Sequence, residues 1–311
     1  MAINFLNSIN MNSIITDQNS DQCIRLLKAQ RVQYAKAKRI QLGFELLSII
    51  VALSIPVFYI VLPAYKTQAG ITGSLLSLLA LIIDRYQKRL TKTAASIQDL
   101  FDRTLFKLKP GKFQGIENIS SESILKLSKK YKKTDVKNWY SSNINGKIPH
   151  KIAVILCQKA NLHWDVTLRT KYKNLIWLFV VLYFTLFLIA LATNCKFTME
   201  FIYDLLLLLA GGSAFIKYSA TTINEKGDII REKKSISLEI DKMLGNYASK
   251  KIEPKIDEIE NIQNVIFSSR KKAVKVPDWF YYIFKSKQEN EMDEIALAII
   301  NDKVNPNVKK E

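Results

Sequence analysis

Residues 43–62 read GFELLSIIVALSIPVFYIVL, and residues 69–83 read AGITGSLLSLLALII, so two apolar stretches follow each other closely. A second pair occupies residues 175–193 and 201–216. About 20 apolar residues cross the hydrocarbon core of a bilayer as a helix, and fewer suffice where flanking side chains reach the headgroups. Lipid offers the backbone no hydrogen-bond partners, so each stretch must be helical. The sequence predicts an all-α membrane protein with two transmembrane hairpins and four spans.

The basic residues predict the orientation of the spans. The chain has 46 Lys and Arg against 28 Asp and Glu, but the two short connections between paired spans hold only Lys66 and Lys196. Loops rich in Lys and Arg stay on the cytosolic side. Both termini are therefore predicted to be cytosolic. The expected division is an N-terminal cytosolic helix at 1–42, a hairpin at 43–83, a basic helical region at 84–173, a hairpin at 174–216 and a C-terminal helical region at 217–311.

Helical patterns continue outside the spans. Pro149 suits the first turn of a helix that runs from His150 toward Tyr172 and on into the third span. Ser120 or Ser121 is expected to cap a helix that starts near Glu122. Farther on, a basic break is expected at residues 270–272. The aromatic run at 276–284 is predicted to be a helix that lies on the inner leaflet or docks against other cytosolic helices.

Small residues mark the second and fourth spans. Gly73 and Ser77 are four residues apart in the second, and Gly211 and Gly212 interrupt a leucine-rich run in the fourth. Small side chains let helices approach closely in lipid. Two interpretations remain open: packing inside one four-helix subunit, or a helix that lines an oligomeric pore and moves at its glycines.

Glu200 and Asp204 lie at positions i and i+4 at the outer start of the fourth span, so they share a helix face. Carboxylates are favoured near a helix N-terminus, so one interpretation is a plain interfacial pair. The other is a ring of carboxylates around a pore, which would attract cations.

The excess positive charge is concentrated in residues 84–173, with 20 basic against 7 acidic residues, a net charge of +13. Such a field attracts anions. Lysines next to the spans are explained by anionic lipid headgroups, and a lysine run is often just a solvated face. A ligand site is the alternative for the lysines far from the spans. The candidate ligand-binding residues are Arg103, Lys126, Lys129, Lys130, Lys132, Lys133 and Arg169.

The sequence gives catalysis little support. His150 and Cys157 share a helix face but lack a third group to orient them. The chain contains no phosphate-binding glycine loop and no metal-ligand cluster. We therefore expect no enzyme activity, no metal and no cofactor.

Several segments together resemble a known family. They are residues 12–41, with LLKAQR at 26–31 and YAKAKRIQ at 34–41; IAVILCQKANLHWD at 152–165; and residues 262–280, which end in VPDWF. Set around two hairpins in this order, they resemble the SMODS-associating four-transmembrane effectors, pore-forming proteins of bacterial anti-phage CBASS operons.

The resemblance implies a mechanism. A partner nucleotidyltransferase makes a cyclic oligonucleotide, the cytosolic part of the effector responds, and the spans of a homo-oligomer open a pore in the bacterial inner membrane that stops growth. The partners would be the cyclic oligonucleotide and anionic lipids, with no nucleic-acid polymer. Activation by a partner protein also fits, and so does a non-conducting membrane scaffold.

Overall fold

The computed structural model describes residues 12–110, 119–133, 136–192, 199–272 and 276–304, with the backbone alone at 285–293, 295–296 and 303–304. Within these ranges the chain is helical, with turns and no strand. In chain order the helices are α1 (Ile14–Asp17), α2 (Asp21–Val61), a 3₁₀ turn (Pro63–Tyr65), α3 (Lys66–Phe106), α4 (Ser121–Lys129), α5 (His150–Ala192), α6 (Met199–Lys250), α7 (Ile256–Lys272), α8 (Asp278–Ile299) and a π-helical turn (Ile300–Val304).

The four apolar stretches lie in α2, α3, α5 and α6, each long and apolar enough to cross a membrane. These helices have 41 to 52 residues. At 1.5 Å per residue they are about 60–78 Å long, at least twice the hydrocarbon thickness of about 30 Å. The prediction that a helix from His150 runs into the third span is confirmed. The expected boundaries at 42/43, 83/84, 173/174 and 216/217 all fall inside unbroken helices, so each span continues as one helix into the neighbouring region.

The membrane half of the bundle has an apolar core and an apolar surface. Ile55, Tyr183 and Phe215 belong to the buried cluster between α2, α5 and α6. The Tyr183 hydroxyl donates a hydrogen bond to the carbonyl oxygen of Leu208 at 3.2 Å, which satisfies a buried polar group. Ile50, Leu78 and Leu188 on the outer surface are each 63% exposed. This surface suits contact with lipid tails.

The other half has a separate core, in which the segment at 136–149 packs against α3. The Tyr140 ring lies 5.7 Å from the Phe106 ring and 6.5 Å from the Phe101 ring, between centroids. The Tyr140 backbone N–H donates to Gln18 Oε1 at 2.8 Å, so the N-terminal region joins the same core. Ile155 of α5 and Ile262 of α7 complete it.

The helices begin and end where the sequence predicts, with one exception. Ser120 caps α4 by accepting a hydrogen bond from the Ser123 backbone N–H at 3.2 Å, as predicted. The break expected at residues 270–272 is wrong, because α7 continues through Lys272. Arg270 is held in that helix by a buried ion pair with Asp102 at 2.5 Å. The aromatic run forms the start of α8 directly after Pro277.

Candidate anion-binding cleft

A basic cleft of about 830 Å³ opens where α3, α4 and α7 meet outside the apolar half of the bundle. Its walls come from five helices and from the residues just before α4. The lining residues are Gln33, Lys88, Arg89, Lys92, Thr93, Ser96, Ile119, Ser120, Ser123, Leu127, Glu225, Lys271 and Lys272. Small-molecule sites in proteins span about 300–1,000 Å³, so the cleft has the size of a ligand site.

Positive charge dominates the lining, with five cations against one carboxylate, that of Glu225. Lys88 Nζ lies 3.0 Å from Asp84 Oδ2 on its own helix and 3.9 Å from Glu225 Oε1 on α6. The second contact links two of the long helices at the edge of the cleft. An anion entering the cleft would compete with Glu225 for Lys88.

Hydrogen-bond donors stand beside these charges. Ser120 and Ser123 place hydroxyls 3.0 Å apart at the N-terminus of α4, and Thr93 adds a third from α3, which donates to the Arg89 carbonyl oxygen at 3.1 Å. The positive end of a helix dipole and its exposed N–H groups favour anions. Cations and neutral donors together are the groups that proteins use to bind phosphate.

Repulsion within the cation cluster is visible at Lys271. Partial burial, together with the neighbouring charges of Lys92 and Lys272, lowers the pKa of the Lys271 ammonium group. Its Nζ lies 4.2 Å from the centroid of the Phe267 ring. A bound anion would relieve this repulsion and raise the Lys271 pKa again, because opposite charge favours the protonated form.

The lysines singled out from the sequence lie elsewhere. Lys126, Lys129, Lys130, Lys132 and Lys133 are all exposed, on α4 or just after it, and none of them lines the cleft. Their neighbour Leu127 faces the cleft instead. These five lysines form an exposed basic surface, called here the α4 surface.

Arg103 is buried away from the α4 surface, only 4% exposed. Its Nε donates to Asp99 Oδ2 at 2.7 Å, and its Nη2 donates to Asn264 Oδ1 at 2.7 Å. Asp99 in turn accepts a hydrogen bond from Gln263 at 2.8 Å. The guanidinium group therefore joins α3 to α7 and is not presented to a ligand.

Arg169 is also buried, 3% exposed, and it pairs with Asp165 at 2.5 Å. Lys233 of α6 reaches the same carboxylate at 2.6 Å. Burial alone would raise the pKa of Asp165, but Arg169 and Lys233 hold that pKa well below its ordinary value. The three charges tie α5 to α6, and they lie apart from both the cleft and the α4 surface.

The small residues of the spans meet inside one chain. A Cβ atom at Gly73 would overlap the backbone of Gly211, and one at Gly212 would overlap the Tyr183 hydroxyl. The hydroxyls of Ser77 and Ser213 are 2.6 Å apart. The four predicted residues thus pack α3 closely on α6 and α6 on α5.

The two outer carboxylates have different surroundings. Asp204 is 4% exposed, and its Oδ1 lies 2.8 Å from Lys66 Nζ. Glu200, one turn earlier, is exposed. Because Lys66 begins α3 and Asp204 lies near the start of α6, the ion pair joins the two hairpins at the ends where their short connections lie.

The two residues weighed for catalysis do not form a site together. His150 Nε2 lies 3.0 Å from the Phe106 carbonyl oxygen, and Cys157 is fully buried, which raises the pKa of its thiol well above the ordinary value. Neither residue lines the cleft.

The arrangement of four long apolar helices with a second, separate helical core agrees with the comparison against known families. The model of the SMODS-associating 4TM effector domain matches residues 12–299. The chain belongs to this family. A similar protein is a probable CBASS effector molecule from Bacillus cereus (strain VD146), 28% identical over an alignment of 302 positions that covers 92% of this chain and 98% of the relative. No solved structure matches the chain.

In this SMODS-associating 4TM effector, sequence reasoning missed the cations of the cleft. Lys88, Arg89 and Lys92 were ascribed to contact with the leaflet, and Lys271 and Lys272 to a helix break. Lys88 and Lys92 share a helix face at spacing i, i+4, which is a usable signal. The other two cations approach them only through the packing of α7 on α3.

Proposed function

We propose that this effector permeabilises the bacterial inner membrane after a cyclic oligonucleotide binds in the basic cleft. The continuity of α3 carries the proposal. Lys88, Arg89 and Lys92 line the cleft, and Gly73 and Ser77 pack in the membrane half of the same unbroken helix. A ligand bound in the cleft would therefore contact α3, the same helix that contains the second span.

The ligand class follows from charge, size and context. The relative's name places it among CBASS effectors, and in such systems a nucleotidyltransferase supplies a cyclic oligonucleotide. Each phosphodiester carries one negative charge, which complements the five cations. The volume of about 830 Å³ suits a compact cyclic ligand better than a nucleic-acid polymer.

The link between Lys88 and Glu225 is the proposed switch. Phosphate displaces Glu225 from Lys88, and α3 and α6 lose a contact that joins them beside the cleft. Gly73 and Gly211 bring the two helix backbones into close contact, so a displacement of α3 at the cleft is passed on to α6. Rearranged subunits then assemble into a homo-oligomeric pore that stops growth or kills the cell.

The proposed orientation places both termini and the cleft in the cytosol. Only Lys66 and Lys196 carry positive charge on the short connections, whereas the segments on the other side hold the remaining 44 of the 46 basic residues. Positive charge retained on the inner side also favours anionic lipids of the inner leaflet.

Reversing two cleft charges, with Lys92→Glu and Lys272→Glu, is expected to weaken cyclic oligonucleotide binding about 100-fold or more. Hydrogen bonds to charged groups contribute about 1.5–3 kcal/mol each, and 1.4 kcal/mol is tenfold in affinity. Both side chains are exposed, so folding should persist. Binding is measured by calorimetry on detergent-solubilised protein with a panel of cyclic di- and trinucleotides.

The matched control is Lys129→Glu with Lys130→Glu, which changes the net charge equally on the α4 surface. This control should bind nearly as well as the natural protein. Loss of binding in the control alone would move the site to the α4 surface. If no member of the panel binds the natural protein, direct activation is refuted in favour of a partner protein or a non-conducting scaffold.

A further inference from the structure

The first two turns of α8 have one buried face and one exposed apolar face. Phe280 is 6% exposed, whereas Trp279, Tyr282 and Ile283 are 44%, 56% and 63% exposed. Large aromatic and aliphatic side chains side by side on a surface mark contact with a membrane or another protein. Neither the family match nor the proposed pore accounts for this face.

The contacts of the buried face show which part of α5 lies beside the start of α8. The Phe280 ring lies 5.2 Å from the Tyr172 ring, between centroids, and the same cluster includes Ile176 and Val180. Residues 176 and 180 are in the first turns of the third span. Tyr172 precedes that span by three residues, and Trp164, whose ring lies 5.6 Å from the Tyr281 ring, precedes it by eleven. The start of α8 therefore lies beside the turns of α5 that lead into the span, on the headgroup side of the membrane boundary.

Exposed apolar side chains also begin on α5 near this level. Trp177 and Leu178, next to Ile176 on α5, are 48% and 62% exposed. Tryptophan and tyrosine are enriched where a protein crosses the headgroup region, since their rings are apolar and their N–H and O–H groups polar. Trp177, Trp279 and Tyr282 match this composition.

Two cations lie beside the start of α8. Lys38 Nζ is 2.6 Å from Asp278 Oδ1, and Lys171 Nζ is 4.1 Å from the centroid of the Phe284 ring. A lipid surface with anionic headgroups complements lysines beside an apolar face.

We propose that the first half of α8 is an interfacial helix, with Trp279, Tyr282 and Ile283 inserted at the boundary between headgroups and acyl chains. The occupant of the face is lipid, in the inner leaflet on the orientation proposed above. The helix then fixes the depth of the third span, and this role needs neither ligand nor pore.

The test attaches an environment-sensitive NBD dye to Ile283→Cys in a Cys195→Ser background, because Cys23 and Cys157 are buried. The full-length protein is placed in nanodiscs of phosphatidylethanolamine and phosphatidylglycerol, with lipids spin-labelled near the headgroup. The matched control is Leu238→Cys, 65% exposed on α6. Residue 238 is 22 residues past the fourth span, about 33 Å along the helix.

We expect blue-shifted emission and strong quenching by the spin-labelled lipid at position 283, and neither at position 238. Equal, water-like behaviour at both positions would overturn the proposal. Blue-shifted emission without lipid quenching would also overturn it and would indicate a second protein copy on the face. Tyr282→Cys repeats the measurement if the label at 283 prevents insertion.

Discussion

Asp102→Ala is expected to lower the free energy of unfolding of the non-membrane helical core by about 3–5 kcal/mol, because it leaves a buried charge unpaired. Asp102 is 0% exposed, and its Oδ2 pairs with Arg270 at 2.5 Å. Its other oxygen accepts a hydrogen bond from the Tyr140 hydroxyl at 2.9 Å. Without Asp102, the Arg270 guanidinium group stays in the core with its main counter-charge gone.

This effect is measured by chemical unfolding in detergent, with the near-ultraviolet circular dichroism of the aromatic core as the signal. The control is Asp228→Ala, which removes an exposed ion pair with Arg231 and should leave stability unchanged. Asp102→Leu combined with Arg270→Met should recover part of the loss, since no charge is then stranded. If Asp102→Ala and Asp228→Ala had the same free energy of unfolding, the buried contacts of Asp102 would not stabilise the core, contrary to this prediction.

Gly73→Ala is expected to destabilise the membrane half by about 1–3 kcal/mol, which is typical of an added methyl group in a packed site. The new Cβ would overlap the backbone of Gly211, and backbone cannot swing aside as a flexible side chain does. The thermal unfolding midpoint in detergent should fall, and the Ser77–Ser213 contact should open.

The matched control for this substitution is Gly43→Ala. No atom lies within 4 Å of a Cβ built at Gly43, and alanine favours a helix over glycine, so this change should be neutral or stabilising. If Gly73→Ala were as stable as Gly43→Ala, this result would contradict the close contact between α3 and α6 at Gly73 and Gly211.

The spans were predictable because their signal is local. An apolar run of about 20 residues predicts a membrane helix from its own composition, and residues 43–61 lie within such a helix. The sequence predicted that a span continues as one long helix only for the third span, from Pro149 and His150. The helical extensions of the spans have a weaker apolar pattern than the spans themselves.

The cleft was not predictable, because its cations come together through tertiary packing. Lys92 and Lys272 are 180 residues apart in the sequence, yet they line one cavity. Arg103 and Arg169 are the opposite case, because the sequence next to each of them already contains its ion-pair partner. Each pairs with an aspartate four residues earlier, Asp99 and Asp165, and that spacing was present in the sequence.

The central claim is that a ligand in the cleft opens the membrane, and the most direct measurement is dye and ion release from anionic-lipid liposomes containing the purified protein. Cyclic di- and trinucleotides are added one at a time. The account predicts no release without ligand, release with one member of the panel, and no response from the variant with Lys92→Glu and Lys272→Glu. Release without any ligand, or none with any member from protein shown to be folded and inserted, would contradict it.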